Sequence, residues 1–219
     1  MASNLEKGKV TAKVRAKVEA PALRLKVLMV CLGNICRSPS AHGVFERLVA
    51  SKGLSEKILV ESAGTANYHI GKSPDPRSIA AASLRGFDLS RQVARQVSSH
   101  DYERFDYILA MDADNLAVMQ STCPPEYQHK LRLLLSFTNS ERRSVPDPYY
   151  SAQGDSGECD GGENGFELVL DIVERACQHL LDHVITHEFS VEFRSNSLLN
   201  SSDDASHIST PSFKGGAAN

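Results

Sequence analysis

Apolar residues occur in short blocks along the chain, divided by polar stretches that carry glycine and proline. The blocks follow two rhythms. Val27-Leu28-Met29-Val30 is a continuous apolar run bounded by turn signals, the pattern of a strand buried on both faces. Ala41, Val44, Phe45, Leu48 and Val49 then recur at helical spacing. Ser38 suits the N-cap of that helix and Pro39 its first turn. Ile58 to Val60 is a second apolar run, followed by a polar loop from Ser62 to Asp75. Ile79 to Leu84 reads as a helix stopped at Gly86. Val93 to Val97 is a weak strand candidate and Tyr107 to Met111 a strong one. Asp112 or Asp114 opens a helix running through Met119. Leu131 to Leu135 is a further apolar run, and Phe166 to Ile185 keeps helical spacing over several turns. Strands alternating with helices predict a three-layer α/β fold. A central four-stranded parallel sheet carries helices on both faces, with the ligand site at the carboxyl ends of the strands.

Composition bounds this picture. The chain has 219 residues and is 41% hydrophobic, enough for one domain with tails. Residues 1–25 are basic and lack aromatics, so a disordered extension is expected there, an organelle-targeting leader being the alternative. The domain is placed at 26–187, and 188–219 reads as a disordered Ser- and Asn-rich tail. Ser151 to Asn164 is a Gly- and acid-rich insertion without the carboxylate ladder of a calcium loop, so a solvated loop is expected. A net charge of -3 gives no reason to expect nucleic acid as a partner, and no apolar run is long enough to span a bilayer. Five cysteines, an odd number without scaffold spacing, fit a reducing, cytoplasmic setting.

The chemistry concentrates in Val30-Cys31-Leu32-Gly33-Asn34-Ile35-Cys36-Arg37-Ser38-Pro39. A strand end, a tight loop and a helix N-terminus together make an anion site, because inward amides and the helix dipole both favour negative charge. Gly33 and Asn34 are the residue types that best tolerate left-handed backbone. Arg37 supplies a planar fork for two phosphate oxygens. Cys31 beneath such a cradle is placed to act as a nucleophilic thiolate in phosphoryl transfer. A zinc reading of Cys31 and Cys36 is weaker, since no second ligand pair stands at a matching spacing. His179, His183 and His187 share a helix face but sit where cations complement a helix C-terminus, and no metal is assigned.

This loop resembles the active-site loop of the low-molecular-weight protein tyrosine phosphatases. Glu61-Ser62-Ala63-Gly64-Thr65, Val93-Ala94-Arg95-Gln96, Phe105 to Leu109, Met111-Asp112 and Asp147-Pro148-Tyr149-Tyr150 extend the resemblance, in the family's order, over about residues 26–186. It implies a metal-independent, cofactor-free phosphatase. Cys31 would attack, the loop from Leu32 through Ile35 and Cys36 to Ser38 would bind phosphate with Arg37, and Asp147 would be the general acid. Ile35, Tyr68, Tyr149 and Tyr150 would line a cleft for an aryl group, Ile35 favouring a phenyl ring over a guanidinium. Ser38 would stabilise the leaving sulfur, and Asn34 with Ser62 would brace the loop. Where the family often has His before the Val93 motif, this chain has Gln92, which puts that imidazole's role in doubt. Phosphotyrosine proteins or small aryl phosphates are the implied substrates, inorganic phosphate the product, and a monomer or weak dimer the expected state. Cys36 is expected to capture oxidised Cys31 as a disulfide, its alternative being a small buried hydrophobe. Two other functions stay open: an arsenate reductase-like enzyme drawing on Cys123, Cys159 or Cys177, and a non-catalytic phosphotyrosine-binding module.

Overall fold

The computed structural model of the protein describes residues 24–149 and 163–189. The basic extension, the 151–164 insertion and the C-terminal tail lie wholly or largely outside the described residues. Four strands, β1 (Leu25–Cys31), β2 (Ile58–Gly64), β3 (Tyr107–Ala110) and β4 (Leu131–Leu133), form one parallel sheet in the order β2-β1-β3-β4. The helices are α1 (Arg37–Ser51), α2 (Pro76–Leu84), α3 (Ser99–Arg104), α4 (Ala113–Thr122) and α5 (Glu163–Glu188). None of the described helices is long and apolar enough to cross a membrane.

Strand β1 shows why the layers form. Its side chains alternate between faces, as the pleat requires. Val27, Met29 and Cys31 join a core with Val44 and Phe45 of α1, Ala81 and Ala82 of α2, and Val173, Leu180 and Val184 of α5. Leu28 and Val30 face the opposite core, with Tyr102, Phe105 and Met119. Val27 through Val30 are all fully buried. Four such side chains contribute about 6–12 kcal/mol of transfer free energy before entropy is counted. That is why this strand reads as an unbroken apolar run. Parallel pairing brings Cys31 beside Gly64, so the carboxyl ends of β1 and β2 finish together under the loop that follows β1.

Several boundaries differ from the sequence expectation. Helix α1 begins at Arg37, with Cys36 in the N-cap position and no side-chain cap bond. Ser38 is therefore inside the helix and does not cap it; its hydroxyl is engaged with Cys31 and Ala63 instead. Helix α2 starts at Pro76, three residues before the apolar periodicity begins, because Asp75 accepts from the Arg77 amide. Val93 to Val97 makes no sheet strand. It contributes one isolated bridge, Gly64 to Gln96, and Ala94 pairs with the Gly71–Lys72 turn. Val93 is 60% exposed, and of this segment's apolar residues only Ala94 is buried while Val97 packs partly on the second core, too little to make a buried strand. The run Leu131 to Leu135 is strand only to Leu133 and then turns into a 3-10 helix, Leu134–Phe137.

Candidate active site

The loop between β1 and α1 is held open by its surroundings. The carbonyls of Cys31 and Leu32 accept from the Thr65 and Ala66 amides at 2.8 and 2.9 Å. The Ile35 carbonyl accepts from the Asp75 amide at 2.8 Å, and the Cys36 carbonyl from the Ser40 hydroxyl at 2.8 Å. In a trans peptide the carbonyl and the next N–H point in opposite directions. Tying these oxygens outward therefore turns the amides of Leu32, Gly33, Cys36 and Arg37 to the other side, where an oxyanion would sit. Asn34 carries the left-handed turn at φ 55, while Gly33 has no positive φ. Gly33 is needed for space, since a Cβ there would stand 2.9 Å from the His69 ring. Gly64 makes an approach just as close, a Cβ there falling 2.7 Å from the Leu32 carbonyl oxygen.

The Cys31 sulfur is buried at the foot of this loop. The Asn34 amide donates to it at 3.3 Å and the Ser38 hydroxyl lies 3.1 Å away. Behind the loop Asn34 is fully engaged. Its amide nitrogen donates to Ser38 Oγ at 2.9 Å and Ser62 Oγ at 3.0 Å, and its oxygen accepts from the Arg95 backbone at 2.9 Å. Ser62 donates to Gln92 Oε1 at 3.3 Å, and Gln92 Nε2 reaches the Pro39 carbonyl at 3.0 Å. Gln92 thus ties Ser62 to the start of α1.

Arg37 is nearly fully buried, with Nη1 2.5 Å from Asp112 Oδ2 and Nη2 2.6 Å from Asp147 Oδ2. Burial by itself disfavours its charge; Cys31, Asp147 and Asp112 overcome this and hold the guanidinium charged. Among the described residues its Nε is buried without an acceptor, a donor left over for a ligand oxygen. Asp147 comes from a loop 110 residues beyond Arg37 in the chain. The Val145 amide bonds the Met111 carbonyl at 2.7 Å, and the Val145 carbonyl accepts from Arg37, which brings the next loop over β3. Tyr149 donates its amide to Asp147 Oδ1 at 3.0 Å.

One cleft is lined by Cys31, Leu32, Gly33, Ile35, Cys36, Arg37, Tyr68, Asp147 and Tyr149, together with His69. Asn34, Ser38, Ser62 and Gln92 stand behind its wall. Tyr150 lies outside the described residues. Tyr68 and Tyr149 are 69% and 41% exposed, aromatic rims for a flat group. Cys36 is buried beside Cys31, and burial pushes its thiol up to about 12, with the Ser78 hydroxyl opposing. Cys123 packs in the opposite core and Cys177 within α5's core, away from the cleft. Larger hollows exist, of about 810 Å³ at the amino ends of the strands and about 580 Å³ beside His42. Neither contains a cysteine, so the chemistry and not the volume marks the site. Among the described residues no three His, Cys, Asp or Glu side chains come together as metal ligands, and His183 instead packs on Phe137 and stacks on His187.

The comparisons with known proteins agree with this geometry. The family described as "Low molecular weight phosphotyrosine protein phosphatase" matches residues 26–190. The chain belongs to that family. A human low molecular weight phosphotyrosine protein phosphatase is 39% identical over 158 residues, covering 71% of this chain and 93% of the relative. The structure of a protein tyrosine phosphatase from Entamoeba histolytica superposes with a TM-score of 0.67 at 40% identity, over 76% of this chain and 99% of that one. YfkJ from Bacillus subtilis superposes with a TM-score of 0.69 at 35% identity, over 77% and 99%. Within this family fold, three residues of the site carry roles that the sequence did not reveal. Asp112 reads as a helix cap, which it is, its Oδ1 accepting from the Asn115 amide, but its other oxygen holds Arg37. His69 sits in a loop without periodicity, and Arg95 acts through its backbone amide, so neither leaves a local signal.

Proposed function

We propose that the protein hydrolyses phosphotyrosine through a covalent cysteinyl phosphate, with no metal or cofactor. One observation carries the reading: a buried cysteine sulfur, a buried arginine fork and an aspartate from a distant loop meet in a single cleft rimmed by tyrosines. The sulfur of Cys31 attacks phosphorus while the loop amides and Arg37 take the equatorial oxygens. Asp147 gives its proton to the departing phenol oxygen. It then takes a proton from water, which attacks phosphorus and breaks the S–P bond, releasing inorganic phosphate. Ser38, 3.1 Å from the sulfur, donates to the thiolate as it leaves. Ile35, Tyr68 and Tyr149 favour an aryl ester, so small aryl phosphates serve as well as phosphotyrosine proteins. Tyr150 is assigned to the same rim from the resemblance. A thiolate nucleophile suits a reducing compartment such as the cytoplasm. Arsenate reduction through extra thiols is the less supported reading: neither Cys123 nor Cys177 lines the cleft, and Cys159 lies outside the described residues. Hydrolysis of p-nitrophenyl phosphate and of a phosphotyrosine peptide is the test. Activity is expected in the native protein and none in Cys31→Ser; full turnover in Cys31→Ser overturns the reading.

A further inference from the structure

Ser62 is the hub of the bracing behind the phosphate loop, and one of its neighbours has no assigned part. His42, on α1, places Nδ1 3.4 Å from Ser62 Oγ. This imidazole comes from a helix, not from the segment before Val93, where Gln92 stands. It borders the hollow of about 580 Å³ that Ser62, Gln92, Glu46, Glu61, Asp88, Arg91 and Arg95 also line, so solvent protons reach it.

The hydrogen-bond arithmetic depends on its charge. Ser62 Oγ already accepts from Asn34 and has one proton to give. Beside a neutral imidazole with a free Nδ1, that proton is divided between Gln92 Oε1 and His42. Beside an imidazolium, Nδ1 becomes a donor, both Ser62 lone pairs are filled, and its proton goes to Gln92 alone. Donation then runs outward from Asn34 on both sides, through Ser62 to Gln92 and through Ser38 to Cys31, with each proton assigned. Positive charge is added at the rear of this chain, on the side away from the bound anion.

We propose that His42 is a positioning residue whose protonation stiffens this chain and tightens the anion cup around Cys31. The inference rests on the phosphatase reading of that site. Burial pushes the imidazole below its ordinary value, Glu46, Glu61 and Gln92 oppose that, and Arg95 adds to it. The remaining charged groups around the same hollow are Asp88 and Arg91. His42 therefore gains its proton on the acid side of neutrality, where a phosphatase with a protonated general acid works.

Reciprocity supplies the test. If His42⁺ favours the anion, a bound anion must favour His42⁺ by the same factor. The probe is sulfate, which stays a dianion through the titration. Imidazole NMR titration of the whole protein is expected to show His42 rising by about 0.5 pH unit with sulfate, a threefold coupling. His129, at the far end of the sheet, is expected to stay still, and in Ser62→Ala the His42 rise is expected to fall by at least half. In the pH profile of kcat/KM, His42→Asn keeps most of the rate and loses the ionisation, whereas His42→Ala loses several-fold in rate. A His42 curve unmoved by sulfate, or moved equally in Ser62→Ala, overturns the proposal. Hydrolysis of p-nitrophenyl phosphate by the same sample separates this from the function itself: an active enzyme with an unmoved His42 refutes the coupling alone.

Discussion

Asp147→Asn removes the proton donor while nearly preserving shape. Two effects compete, and the structure sets their signs. General acid catalysis is worth about 10²–10⁴ in rate, or about 3–5 kcal/mol of barrier at 1.36 kcal/mol per decade. Against this, Asp147 Oδ2 lies 2.6 Å from Arg37 Nη2 and so competes with phosphate oxygens for the fork. An asparagine offers that fork a single neutral carbonyl oxygen in place of a charged carboxylate, and so binds it more weakly. Arg37 keeps its orientation through Asp112, whose oxygen is 2.5 Å from Nη1. The variant is therefore expected to lose about 10²–10³ in kcat on phenyl phosphate, with KM unchanged or lower. On p-nitrophenyl phosphate, whose leaving phenolate needs less proton assistance, the loss in the first step is expected to shrink at least tenfold. Rapid-quench measurement of phenol release, with steady-state phosphate release beside it, separates the two steps. Equal first-step losses for the two substrates, or a raised KM with kcat intact, would refute this assignment of Asp147.

Three other outcomes follow from the same contacts. Gly64→Ala places a methyl group 2.7 Å from the Leu32 carbonyl oxygen, a backbone atom with little room to move, and phosphate inhibition of the variant is expected to weaken at least tenfold alongside a lower melting temperature. Peroxide is expected to oxidise Cys31 to a sulfenic acid that Cys36 captures with loss of hydroxide. With the Cys36 thiol raised to about 12, capture should be slow near neutrality and accelerate with pH; mass mapping that finds no Cys31–Cys36 link refutes it. Asp101 tests acid stability: burial pushes its carboxyl up, but Arg95 at 2.9 Å and the Ser98 amide at 2.7 Å leave it below its ordinary value. A depressed folded value stabilises above the unfolded carboxylate value and is lost as pH falls through the folded one, so Asp101→Asn should cost about 2 kcal/mol in urea unfolding at pH 7 and progressively less below about pH 4.

How far the sequence reaches can be traced through particular residues. Four apolar residues before Cys31 declare a doubly buried strand, because burial on both faces leaves no place for a polar side chain. Asn34 and Arg37 in the loop after it declare an anion cup, because left-handed backbone and a fork have few other uses so close together. Those facts are local, and local chemistry is legible in order. Distances between remote segments are not. Asp112 reads as a cap until the parallel register of β1 and β3 sets it against Arg37. Ser38 reads as a cap until the helix proves to begin two residues earlier, which turns its hydroxyl onto the sulfur. Val93 to Val97 has strand composition, yet only packing reveals that Val93 has nothing to cover. His42 and Ser62 are 20 residues apart and carry no shared pattern; they meet because α1 folds back over the end of β2. The nucleophile and its cup are thus written in consecutive residues, while the partners that hold, brace and charge them are chosen by which strand ends the sheet brings together.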